Sequence, residues 1–165
     1  MRHLILICAL LALPACGGSP DDERPPREGG PVIADTVVAP AAEALSRAQR
    51  MDENLPFGAA ETHQIDEPDL REPRVLRLWR QNGQPVKIMA SEPDDAGRMR
   101  HNSTYYFWNG ELFFVRRPDV RLVLSTDPPT WLDDQLREMD ATAAQAEAMA
   151  EELRAETARY LAAFE

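Results

Sequence analysis

Reactive chemistry needs side chains that exchange protons, hold metals or attack a substrate, and this 165-residue chain offers few in useful arrangements. Its three histidines, His3, His63 and His101, are widely separated, and the chain has no His-Glu-x-x-His, no serine nucleophile elbow and no glycine-rich phosphate loop. Ser103 near His101 is the one local hydroxyl and base from which a small hydrolase would be assembled. The carboxylate pairs Asp133-Asp134 and Glu151-Glu152 fall in a helical pattern, where neighbours point apart by about 100 degrees, so they read as a solvated face rather than an acid and base pair. Glu92, Asp94 and Asp95 lack the alternation of an EF-hand loop and read as a hairpin loop. We therefore expect no catalytic residue, no cofactor and no metal. Two groups stand out for binding. Arg116, Arg117 and Arg121 are suited to a phosphate or carboxylate, unless they pair with the chain's own acids. Trp79, Tyr106, Trp108 and Phe113 make a candidate aromatic face for a peptide, glycan or protein, unless helices cover it.

Those aromatics sit on two hairpins. Residues 104–115 place β-favouring runs on either side of Asn109-Gly110, a pair that accepts positive φ at both central positions of a tight turn. Two-residue pairing sets Trp108 opposite Glu111, Phe107 opposite Leu112, Tyr106 opposite Phe113 and Tyr105 opposite Phe114. Both faces are then apolar, so the hairpin needs cover on two sides, or cover on one and a ligand on the other. Residues 74–90 repeat the design around Asn82-Gly83, with Val75, Trp79, Val86 and Ile88 expected on one face and Leu76, Leu78 and Met89 on the other. The two turns lie 27 residues apart, which aligns Trp79 with Tyr106, Val86 with Phe113 and Ile88 with Val115. Over this stretch the chain resembles the hairpin repeats of MORN-type proteins. That resemblance implies successive hairpins in a meander.

Around the hairpins, residues 41–55 carry Ala41, Leu45, Ala48 and Met51 at helical spacing and stop at Leu55-Pro56. Residues 61–65 suit an edge strand, and Leu122-Val123-Leu124 a further one. Residues 131–164 read as one long helix capped by Thr130, with Leu132, Leu136, Met139, Ala143, Ala146, Ala150, Leu153, Thr157, Tyr160 and Phe164 in a heptad stripe and a bend point at residues 140–142. Its small residues invite another helix, either residues 41–55 or a second copy of the chain. The expected fold is α+β: an antiparallel meander of about four or five strands with both helices on one face.

The amino terminus addresses location. Residues 1–15 have Arg2, an apolar run and small residues at the end, which is the layout of a secretory signal. Leu13-Pro14-Ala15-Cys16 resembles a bacterial lipobox, which implies cleavage before Cys16, lipidation of that cysteine and anchorage by several acyl chains; an ordinary secreted protein is the alternative. Gly17 after the cysteine, by likeness to enterobacterial lipoproteins, implies the outer membrane, facing the periplasm. Residues 16–40 are rich in Pro and Gly and read as a tether, with an apolar island at 32–38. Removing residues 1–15 takes Arg2 and no acid, shifting the formal charge from −10 to −11. Such an acidic chain argues against nucleic acid. The expectation is a membrane-anchored envelope lipoprotein with a non-catalytic binding or accessory role toward an envelope protein, peptide or glycan, or else a structural lipoprotein that self-associates through its carboxy-terminal helix.

Overall fold

The computed structural model describes residues 39–165. The expected signal segment, Cys16 and nearly all of the tether lie outside the described residues. The chain opens with α1 (Ala39–Asn54), where Ala41, Ala44 and Ala48 form a buried stripe of small residues flanked by Leu45 and Met51. Pro56 ends it, and a 3-10 turn at Phe57–Ala59 leads into the sheet. Seven strands follow: β1 (Glu61–Ile65), β2 (Arg74–Gln81), β3 (Gln84–Pro93), β4 (Met99–Trp108), β5 (Glu111–Arg116), β6 (Arg121–Val123) and β7 (Thr130–Leu132). They form one antiparallel meander in sequence order. α2 (Ala143–Ala162) closes the chain. The fold is α+β, with more strands than the four or five expected, because the short runs Arg121–Val123 and Thr130–Leu132 extend the sheet beyond the hairpins.

The helices lie on opposite faces, not on one. Alternation on β4 sends Tyr105 toward α2, where its hydroxyl meets Glu156, and Tyr106 toward α1, where its hydroxyl meets Asp52. The α2 face holds Leu76, Leu78, Ile88, Tyr105, Phe107, Val115 and Leu122 against Ala150, Leu153 and Tyr160. The α1 face holds Tyr106, Phe113, Phe114, Val123 and Leu132 against the alanines of α1. A doubly apolar hairpin demands such a sandwich, since one covered face would leave a row of aromatics in water.

Both Asn-Gly turns have positive φ at both positions: 52° and 79° at Asn82 and Gly83, 53° and 83° at Asn109 and Gly110. The pairs next to the second turn are as expected, Trp108 with Glu111 and Phe107 with Leu112. Beyond them the register departs from simple two-residue counting. Tyr106 pairs with Phe114 and Tyr105 with Val115, because Phe113 is the extra residue of a β-bulge. That is why Phe113 and Phe114 share the α1 face while Val115 turns to α2. The first hairpin has the same irregularity: Trp79 pairs with Lys87 and Arg80 with Pro85, leaving Val86 extra. Ile88 consequently joins Leu76 and Leu78, not Trp79. The two bulges occupy equivalent places, so the 27-residue alignment of Val86 with Phe113 has a geometric counterpart. Pro85 sits inside β3, but pairing with β4 begins only at Lys87.

The expected helix over 131–164 starts too early. Thr130–Leu132 pairs with β6 as an edge strand, and residues 133–137 form a tight turn. The Asp133 carboxylate accepts from the backbone N–H groups of Gln135 and Arg137 at 2.8 and 2.9 Å and from Arg137 Nε at 2.8 Å, while Leu136 takes φ 64°. Asp94 builds the same turn between β3 and β4, with Ala96, Arg98 and Gly97 in the corresponding roles. Asp133-Asp134 therefore belongs to a loop rather than a helix face. Residues 138 and 139 then return beside β7, with Met139 N–H donating to Trp131 O at 2.8 Å. α2 begins at the expected bend point, where Thr142 and Gln145 form a reciprocal capping box. From Ala146 to Tyr160 the heptad stripe is buried, and it packs on the sheet rather than on α1.

Candidate functional site

The arginines expected to gather an anion are distributed by strand alternation. Arg116, at the end of β5, turns to the α1 face and donates to Asp52 Oδ2 at 3.2 Å. Arg117, next in sequence, turns to the α2 face and donates to Glu156 Oε2 at 2.6 Å. Arg121 donates to the Asp133 carbonyl at 2.8 Å. Arg116 and Arg121 share one depression with Asp52, Asp134 and Gln49, so its acids balance its cations.

Each helix is fastened to the sheet by one carboxylate. Asp52 of α1 accepts from Lys87 Nζ at 2.6 Å and from the Tyr106 hydroxyl at 2.9 Å as well as from Arg116. Burial works to raise its pKa, but the bonds from Lys87 and Tyr106 and the charges of Lys87 and Arg116 outweigh burial and hold it below the usual carboxylate value. Glu156 of α2 accepts from Tyr105 at 2.7 Å, Arg117 at 2.6 Å and Tyr160 at 2.9 Å. It too is held low against burial, chiefly by the Tyr105 bond and the Arg117 charge. Burial, reinforced by those anions, pushes the hydroxyls of Tyr105, Tyr106 and Tyr160 well above the ordinary phenol value, so they stay protonated and donate. Arg74 extends the α2-side network, donating to Glu67, Glu92 and the Ser91 carbonyl. Ser103 is fully buried and its hydroxyl has no hydrogen-bond partner among the described residues, while His101 is exposed.

Of the candidate aromatic face, Tyr106, Phe113 and Trp79 are buried on the α1 side, and Trp79 Nε1 donates to the Pro56 carbonyl at 3.0 Å. Trp108 differs. It stands at the end of β4 beside the turn, 48% exposed, with the Arg47 guanidinium 4.2 Å from its ring centre. It lines a depression of about 310 Å³ built from Glu43 and Arg47 of α1, Glu111 to Phe113 of β5, Leu124, Ser125 and Arg154 of α2. Arg47 is paired with Glu43 at 2.8 Å, whereas Arg154 makes no ion pair among the described residues. An adjoining depression of about 400 Å³ is lined by Pro128, Trp131, Asp127, Glu138, Met139 and the start of α2. The two share Pro40 and Ser125. Met139, 42% exposed, and Trp108 are the large exposed apolar side chains of the described residues, and each falls in one of these depressions. A groove with apolar anchors, an aromatic ring and a polar rim suits an extended ligand. Of the residues lining it, Trp108 and the mostly buried Phe113 were legible as binding candidates. Arg47, Met139 and Arg154 come from separate elements, and nothing in their local sequence marks them.

No protein-family model, no curated protein and no solved structure matches this chain.

Proposed function

We propose that the chain is a membrane-anchored cell-envelope lipoprotein, held at the outer membrane through Cys16 and facing the periplasm, with a binding or accessory role. The groove around Trp108 and Met139 takes an extended segment of an envelope protein, a peptide or a glycan. The anchoring half of this reading is supported by Leu13-Pro14-Ala15-Cys16 behind a short apolar leader. The binding half is carried by one observation: both large exposed apolar side chains among the described residues lie in adjoining depressions that meet at Pro40. Self-association through the carboxy-terminal stripe is the less favoured reading, since Ala150, Leu153 and Tyr160 are spent on the sheet and Ala146 and Thr157 are buried within the same chain. Anchoring is tested by expressing the full chain and its Cys16→Ser variant with an alkyne-labelled palmitate. The native chain should take up label and sediment with outer membranes, and the variant should do neither. Unlabelled native chain in the soluble fraction would overturn the reading.

A further inference from the structure

We propose that the depression beside Trp131 seats a cationic side chain, lysine or arginine, from a basic peptide segment of the bound partner. The inference rests on the reading of the groove as a binding site and names the chemistry that site selects. Backbone pairing fixes the walls. The loop after β6 supplies Asp127, and the Asp133 turn brings Glu138 and Met139 back beside β7, where Glu138 bridges Leu132 and the Met139 N–H donates to Trp131 O at 2.8 Å. Charge separates the two depressions. The one around Trp108 is balanced, Glu43 and Glu111 against Arg47 and Arg154, whereas the charged side chains lining the Trp131 depression are the acids Asp127 and Glu138. Neither carboxylate has an ion pair or a side-chain hydrogen bond among the described residues. The tryptophans differ in the same sense. Trp79 has Lys87 Nζ 4.9 Å from its ring centre and Trp108 has Arg47 at 4.2 Å, while Trp131 has no cation over its ring among the described residues. A long cationic side chain meets both needs, with its methylene stem on Trp131 and Met139 and its head against the acids. The first turn of α2 also lines this depression, and a helix amino terminus favours anions. It carries only about half a charge, however, and two full carboxylates outweigh that. Thr142 and Gln145 already cap it. A volume of about 400 Å³ holds one such side chain, and continuity through Pro40 and Ser125 lets the rest of an extended segment run on over Trp108.

The test is two-dimensional NMR on the complete chain in neutral detergent, following the Trp131 indole N–H, the Met139 methyl and, as a core control, the Leu153 methyls. Three short alanine-proline peptides are titrated, with lysine, acetyl-lysine or glutamate at the centre. The lysine peptide should displace the Trp131 and Met139 signals and saturate, and the other two should bind at least about fivefold more weakly. Asp127→Asn combined with Glu138→Gln should weaken the lysine peptide about fivefold, Glu111→Gln in the balanced depression should change it less than about twofold, and the Leu153 methyls should stay in place throughout. Equal affinity for the acetyl-lysine peptide, or an unchanged lysine peptide in the double variant, would overturn the inference while leaving the groove a binding site. Butylamine binding as tightly as the lysine peptide would overturn the peptide occupant. No displacement by any peptide would overturn the inference and count against the groove reading as well.

Discussion

At the scale of single residues, Asp52 and Glu156 hold the molecule together, each receiving a tyrosine hydroxyl and an arginine from adjacent positions of the sheet. Glu156→Ala should cost about 2–4 kcal/mol, because Arg117 and two tyrosines lose a partly buried acceptor; urea unfolding measures it. The pH dependence has a definite sign. Both acids are held below their ordinary values of 3.8 and 4.5 in the folded state, so the unfolded chain takes up protons first as pH falls. Their contribution is complete above about pH 5 and is lost as pH falls through the ordinary values to the lower folded ones. Glu156→Gln should flatten the stability curve in that acid range, and a native slope in the variant would contradict the assignment. These partners were not legible in the sequence, where Tyr105 and Glu156 are separated by 51 positions. The arginines were conspicuous there because three fall within six residues, yet strand alternation sends Arg116 and Arg117 to opposite faces.

At the scale of elements, the two Asn-Gly hairpins were legible because positive φ at two successive residues has a strong sequence signature. The bulges were not. A single extra residue at Val86 or Phe113 is decided by which side chains the two faces can bury, and it reverses every face assignment beyond it. The start of α2 was legible only as a bend point inside a longer helix, since Leu132, Leu136 and Met139 keep helical spacing while the Asp133 turn and the β6 pairing win locally. Gly110→Val should lower stability by about 1–2 kcal/mol through positive φ alone, read as a lower melting temperature. Thr142→Ala should remove the capping box of α2 at about 1 kcal/mol, and a helix whose amide exchange in the first turn is unaltered would contradict the cap.

At the scale of the whole molecule, a seven-stranded meander lies between two helices, one on each face, and the groove forms where α1, the β4–β5 turn and α2 come together at one end of the sheet. The α+β class was legible, but the apolar pattern of the central hairpin left open whether the chain covers both faces or a ligand takes one, and the helices expected on one face lie on opposite faces. The groove was not legible, because its walls are distant in sequence. Leu153→Glu should unfold the domain rather than split an oligomer, since that side chain is packed on the sheet; a folded variant of reduced mass would restore the self-association reading. The most direct test of the binding account is photo-cross-linking in intact cells. A photoreactive phenylalanine replaces Glu111, on the groove wall, or His101, at the opposite end of the β3–β4–β5 hairpins. A discrete adduct with an envelope component from position 111 and none from position 101 is the predicted result. No adduct from position 111, or the same adduct from both, would contradict the account.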